Sequence, residues 1–190
     1  NALLDLDKVQ QSFAAVNEYL LSDAVVQPPD FKDPNAAFAL CPDASNVAAG
    51  AALMQWQHPT HAGPGPDVPG NVNEGKDELT QSWRHDKGWK LETIGFFSKT
   101  FVQAQRNWPT FDKEAGAIIL AIRHWVDLIT GHPTTVYTDS QVAASMLSSK
   151  HAGPPRLQRW GMELMTFLPY LRIAYRRGID NGLADLLSRY

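Results

Sequence analysis

Two periods alternate along this chain, and the switches between them outline its elements. Phe38-Ala-Leu-Cys-Pro runs apolar into Asp43, Ala-Ser-Asn46 gives a polar turn, and Gly50-Ala-Ala-Leu-Met-Gln55 follows. Apolar runs bounded by Asn and Gly predict buried neighbouring strands joined by a turn. Residues 91–97 return to strand character, 98–101 close that strand, and 103–108 form a polar connection. From Thr110 the period lengthens. Ala115, Ile118, Ile119, Ile122, Trp125, Val126 and Ile129 make one stripe, which predicts a helix with Thr110 as N-cap and Gly131 as its closing glycine. On that helix Asp112 and Asp127 fall on the polar, solvated side. Thr134–Thr138 is a short β-rich strand that ends, like the first, on an acid: Asp139. Residues 140–149 read as a short helix halted by Gly153-Pro154-Pro155, and 156–168 as another with Leu157, Trp160, Leu164 and Phe167 inward. Leu171–Tyr175 alternates as a strand. Asn181 caps a final helix with Leu183, Leu186 and Leu187 on one side and Asp185 on the other.

Two stretches stand apart from this order. Leu3, Leu6, Val9, Phe13, Val16 and Leu20 recur every three or four residues, so residues 1 to about 23 predict an amphipathic helix, stopped by Pro28-Pro29. A single helix makes no core, and residues 1–30 read as a connector ahead of a domain over 31–190. Between Gln57 and Lys90, nine of 34 residues are Gly or Pro, with five acids and four Lys/Arg and no period. This predicts a long loop inserted in a hairpin. Its histidines, His58, His61 and His85, lack the close, supported spacing of a zinc site.

The run of strands followed by β-α units predicts an α/β (α+β) mixed sheet, antiparallel in its first part and parallel later, with helices covering it. Composition adds little: 44% apolar and 19% charged residues are ordinary for a soluble globular domain. No apolar run is long enough to span a bilayer, and no signal peptide is read at the N-terminus, which points to an intracellular setting. Cys41, the sole cysteine, sits in an apolar strand as a small core residue. The net charge of −3 argues against indiscriminate nucleic-acid binding. From Lys150 to Tyr190, however, seven Lys/Arg face three acids, a local +4 able to meet a polyanion.

The chemistry is carried by isolated acids. Burying a carboxylate costs several kcal/mol unless something pairs with it, so an aspartate closing an apolar strand needs a reason. If the strands ending in Asp43 and Asp139 are parallel neighbours, both carboxylates emerge at one edge of the sheet. At 100° per residue Glu114 lies roughly 70° from the centre of its helix's apolar stripe. A helix behind the sheet would therefore add Glu114, and the terminal helix Asp185. Four such acids cannot all ionise together without cations, and a pair of Mg²⁺ ions removes the conflict.

These pieces resemble, in order, the ribonuclease H domain of reverse transcriptases from gypsy-type LTR retrotransposons. The match runs through Pro29-Asp-Phe31, Asp43-Ala-Ser45 with Gly50-Ala-Ala-Leu, Ile94-Gly-Phe-Phe-Ser-Lys99, Asn107-Trp108 and Asp112-Lys-Glu114. It continues with Trp125, Gly131, Thr138-Asp139, Arg159-Trp160 and Asn181-Gly-Leu-Ala-Asp185-Leu-Leu-Ser-Arg189. The resemblance implies a ribonuclease H fold: a five-stranded mixed sheet ordered third, second, first, fourth, fifth, with flanking helices. It implies Asp43, Glu114, Asp139 and Asp185 as the catalytic, metal-binding acids, two Mg²⁺ ions with Mn²⁺ as substitute, and cleavage of the RNA strand of RNA–DNA hybrids. It also implies a polymerase domain in the same polyprotein as partner, residues 1–27 being similar to the segment that joins the two.

The chain departs from that pattern in four places. Cys41-Pro42 precedes Asp43 where a polar residue is usual, and Pro42 lacks the donor a central strand uses. Ser140 follows Asp139 where His or Asn is common. The 57–90 insertion exceeds a hairpin turn, and no histidine lies between Leu171 and Asp185. Ser45, Lys99, Arg106, Arg156 and Arg159 are candidates for contacts to the nucleic acid, of the kind that position a duplex without reading its sequence. A non-catalytic module of the same fold, serving as a structural or RNA-binding part, is the alternative reading. The intact acid set favours the enzyme, and the Asp-Lys-Glu helix and the Ala-Asp-x-Leu-Ser-Arg ending argue against an integrase-like nuclease.

Overall fold

A computed structural model of the chain describes residues 26–34, 36–58, 88–140, 154–167 and 169–175. The expected helix over 1–23, the body of the insertion, the 140–149 helix and the terminal helix bearing Asp185 lie outside the described residues. Five strands form one mixed sheet in the order β3-β2-β1-β4-β5. β1 (Phe38–Ala44), β2 (Ala48–Gln57) and β3 (Lys90–Thr100) run antiparallel, whereas β4 (Thr134–Thr138) joins β1 in parallel and β5 (Leu171–Tyr175) joins β4 in parallel. Between β3 and β4 the chain forms α1 (Gln103–Arg106), α2 (Thr110–His124) and α3 (Val126–Ile129), and α4 (Pro155–Met165) precedes β5.

Successive strand side chains alternate between the two faces. Phe38 and Leu40 of β1, Leu53 of β2 and Val136 of β4 pack with Ile118, Ile119 and Ile122 of α2 and Leu164 of α4. On the opposite face Ala39 and Cys41 cluster with Tyr137 and Ala174. Because both faces of the central strands are buried, these strands read as continuous apolar runs rather than alternating ones. Each large aliphatic side chain so buried contributes about 1.5–3 kcal/mol.

The placement of Pro42 explains why a central strand tolerates it. Trp56 N–H donates to the Ala37 carbonyl, so residue 37 and every second residue after it turn their N–H toward β2. Phe38 N–H donates the other way, to Pro133 ahead of β4, at 2.8 Å. Pro42 thus presents its ring nitrogen on the β4 side, and the β1–β4 pairing stops earlier, at Leu40 with Val136. Asp43 and Asp139 lie beyond the last paired residues of the two strands.

The helical stripe from 115 to 129 is real but is not one helix. α2 ends at His124, Trp125 leaves the helical region (φ −109°, ψ 20°), and α3 adds one further turn. The break sets the Trp125 ring, 6% exposed, into the core. Thr110 is the first helical residue, not the cap. Pro109 occupies the cap position and its carbonyl accepts from Asp112 and Lys113 N–H. Gly131 closes the segment with φ +81°, as a terminal glycine should. Asp112 is a second correction. It is 4% exposed and ion-paired to Arg156, so α2 turns this part of its polar side against α4 rather than water. Trp108 and Trp160 meet edge-to-face at 5.5 Å in the same seam. Gly116 makes the room, since a Cβ there would stand 3.1 Å from Trp108 and 3.4 Å from Trp160. Arg123 and Glu163 bridge α2 and α4 further along with two bonds of 2.7 Å. Among the described residues no helix is long and apolar enough to cross a membrane.

Candidate active site

The sheet delivers its acids to one end. Asp43 lies near the end of β1, half-buried, paired in register with Gly50 of β2. Asp139 follows β4 directly; the strand is buried throughout, and the chain emerges at Asp139 as an exposed residue. Parallel pairing of β1 with β4 puts both strand ends at the same edge. Glu114, in the second turn of α2, is half-buried beside them.

The electrostatics of Glu114 record this meeting. Burial pushes its carboxyl above the ordinary range, and the negative charges of Asp139 and then Asp43 push it the same way. A hydrogen bond from the Ser140 side chain opposes the rise. Ser140 is itself 6% exposed, and its N–H donates to Thr138 Oγ1 at 3.1 Å. The hydroxyl that steadies Glu114 is therefore anchored to the end of β4. Ser140, noted in the sequence only as a departure, belongs to the site. Its signal was adjacency to a strand-ending acid.

Lys113 also escaped the sequence reading. It is 7% exposed, and Nζ donates to Asn46 Oδ1 at 3.3 Å. This bond fastens the helix bearing Glu114 to the turn that follows Asp43. Ser45 shapes that turn: its Oγ accepts from Val47 N–H at 3.2 Å and Ala48 N–H at 3.1 Å.

The remaining candidates are scattered. Lys99 is exposed on β3 and aligned through Ala49 with Ala44, which puts it two strands, roughly 10 Å, from the Asp43 strand end. Arg159 is exposed on α4. Arg106 is exposed and donates Nε to the Phe101 carbonyl at 3.1 Å, closing the turn into α1. Arg156 is committed to the α2–α4 seam: it pairs with Asp112 and lies 4.3 Å over the Trp108 ring. Asp185 lies outside the described residues.

Three carboxylates from three separate elements offer hard oxygen donors, the kind Mg²⁺ takes. Like charges with no cation among them repel, and among the described residues no three His, Cys, Asp or Glu are drawn together as a metal-holding group. The donor chemistry fits a divalent cation; the closed arrangement is not present.

Comparison with known proteins now places the chain. The fold is that of ribonuclease H. At 12% and 13% identity, two structures of foamy virus protease–reverse transcriptase share it. One, of a prototype foamy virus mutant, has a TM-score of 0.55 over 90% of this chain and 18% of its own. The other, a complex with double-stranded DNA, has 0.51 over 93% of this chain and 30% of its own. Residues 77–167 match the model of the RNase H-like domain found in reverse transcriptase. The chain is 26% identical over 188 residues, 98% of its length, to the retrovirus-related Pol polyprotein from transposon 297 of Drosophila melanogaster. It is 29% identical over 182 residues, 94% of its length, to the transposon Tf2-3 polyprotein of Schizosaccharomyces pombe. It spans only 14% and 11% of those two relatives. Over residues 77–167 the chain is thus similar to the RNase H-like domain of reverse transcriptase, and the relatives it resembles along nearly its whole length are retrotransposon polyproteins.

Proposed function

We propose that the domain is a Mg²⁺-dependent endoribonuclease that cuts the RNA strand of RNA–DNA hybrids during reverse transcription, within a gypsy-type retroelement polyprotein that also holds the polymerase. The observation that carries this reading is the electrostatic meeting of Glu114 with Asp43 and Asp139 at one sheet end. Nothing in folding stability calls for three carboxylates to be presented at one sheet end within electrostatic reach of each other, because their repulsion and burial both cost free energy.

In this reading Asp43, Glu114, Asp139 and Asp185 would hold two Mg²⁺ ions, and that pair would supply activation of a water and stabilisation of the leaving 3′-oxygen, so that the products carry 5′-phosphate and 3′-hydroxyl ends. The chain's own part is to present these oxygens from rigid elements. β1 and β4 fix Asp43 and Asp139 from the sheet. α2 carries Glu114, and Ser140 and the Lys113–Asn46 bond set its position against them. Glu114 is assigned to the ribose 2′-hydroxyl, the group that marks a strand as RNA. Of the candidate cations, Lys99 and Arg159, both exposed, are assigned to backbone phosphates.

The test is incubation of the purified chain with a labelled RNA–DNA hybrid, single-stranded RNA and duplex DNA, with Mg²⁺ and then with EDTA. Cleavage of the hybrid's RNA alone, abolished by EDTA, is expected. Binding of the hybrid without cleavage would leave the non-catalytic module as the reading.

A further inference from the structure

The end of the sheet opposite the acids carries a second built feature. Residues 27–33 cross β3, β2 and β1 rather than running along them. Gln27 N–H donates to the Thr93 carbonyl on β3 at 2.7 Å. On β2, Gln57 Nε2 donates to the Pro28 carbonyl at 2.9 Å and to Gln55 Oε1 at 2.9 Å. Gln55 then grips residue 30 from both sides: Nε2 donates to the Asp30 carbonyl at 2.9 Å, and Oε1 accepts Asp30 N–H at 2.7 Å. Phe31 continues past β1, 6.4 Å from the Phe38 ring, and reaches His132 ahead of β4 at 5.2 Å. Asp30 Oδ1 accepts Lys32 N–H at 2.8 Å and turns the chain into β1.

Gln55 is 0% exposed, in register with Phe38 on β1. A buried primary amide in a sheet's core face is costly unless both its donor and its acceptor are used. Here one backbone residue of the crossing segment satisfies both. The pairing is blind to the side chain at position 30, as a strand neighbour would be, and so it reads an extended backbone. Pro28 has no N–H to offer, and it is a donor, Gln57 Nε2, that meets it.

We propose that Gln55 and Gln57 form a latch for the polypeptide that precedes the domain, setting where and in what direction it enters. Asp43 lies five residues further along β1 than Phe38, roughly 17 Å from the latch. Residues 27–33 are held at the end of the sheet away from the acids, so this segment stays clear of a duplex bound there. The part of this inference that concerns the polymerase rests on the reading given under Proposed function; the latch itself does not.

Amide hydrogen exchange on the 190-residue chain tests the latch without any cleavage. The 26–34 amides are expected to exchange more slowly than in an unstructured peptide. Gln55→Leu, which keeps the volume, and Gln57→Ala, at a half-buried site, should each speed them roughly tenfold or more while peptides from β1 and β4 keep their protection. Exchange of 26–34 at the unstructured rate in the wild type, or unchanged rates in the variants, overturns the proposal. If Gln55→Leu fails to fold, Gln57→Ala decides alone by the same criterion. In a longer protein with the polymerase part upstream, the variants should scatter the positions of RNA cuts relative to those of the wild type. Identical cut positions overturn the orienting role. If no protein cuts, the proposed activity fails while the exchange result still judges the latch.

Discussion

Arg156→Met probes the seam between α2 and α4, and it separates two roles for one arginine. The wild-type guanidinium pairs with Asp112, whose side chain is 6% exposed and whose Oδ1 has no hydrogen-bond partner among the described residues. Methionine keeps much of the stem but leaves a buried carboxylate with no counter-charge. Removing one partner of a fully buried pair costs about 3–5 kcal/mol; with Arg156 34% exposed, about 2–3 kcal/mol is the fitting range. Loss of the stacking on Trp108 adds about 0.5–1 kcal/mol. A total near 3 kcal/mol corresponds to a fall in Tm of about 6–12 °C for a domain of this size. Thermal unfolding of Arg156→Met, Asp112→Asn and the double variant supplies the assay. The two single losses should overlap, with a coupling of about 2 kcal/mol in the cycle. A Tm drop under about 2 °C, or additive losses, would refute the assignment. Hybrid affinity adds a second readout: Arg156→Met should leave its salt dependence unchanged, whereas loss of a phosphate contact would lower the slope by about one.

Three further outcomes follow from the site and its surroundings. Glu114 has a raised folded-state pKa, so its contribution favours folding below the ordinary value of 4.5 and is lost as pH rises through the elevated one. Glu114→Gln should therefore raise the Tm of the metal-free chain at neutral pH and lose that advantage near about pH 4; a lower Tm at neutral pH would contradict the burial and charge argument. Replacing residues 59–87 by a short Asn-Gly turn should move Tm by only a few degrees, because Gln57 and Lys90 already pair across the hairpin. Loss of cooperative unfolding would show an ordered element in the insertion. Asp185→Asn should cut less slowly than Asp43→Asn and recover with high Mg²⁺ or Mn²⁺, as a weakened site refills by mass action; a metal titration matching the wild type would make Asp185 an ordinary helix position.

The strands were legible because their burial on both faces leaves an unbroken apolar record, and the turn at Ser45–Asn46 and the closing Gly131 announce themselves chemically. Strand direction followed from the sequence of hairpin-linked strands and β-α units, and the order of the strands from the family resemblance. What stayed hidden depends on tertiary partners. Asp112 reads as a solvated helix acid until α4 brings Arg156 to it. The break at Trp125 has no Gly or Pro to mark it, and its large ring lies in the core. Gln55 looks like the polar end of a strand; only the crossing segment 27–33 makes it a buried amide with both ends used. At the site, the acids ending β1 and β4 were visible as anomalies in apolar runs. Ser140 showed only as the neighbour of a strand-ending acid, and Lys113 not at all, since a lysine on a helix carries no pattern of its own.

The central claim is that Asp43 and Asp139 serve chemistry rather than folding, and cleavage of a labelled RNA–DNA hybrid by Asp43→Asn and Asp139→Asn, beside their thermal unfolding, tests it most directly. With Mg²⁺ saturating, both variants should lose RNA cleavage while the metal-free Tm stays equal to the wild type or rises, because each removes a charge from a repelling cluster. Wild-type turnover in either variant, with its Tm intact, would contradict the account.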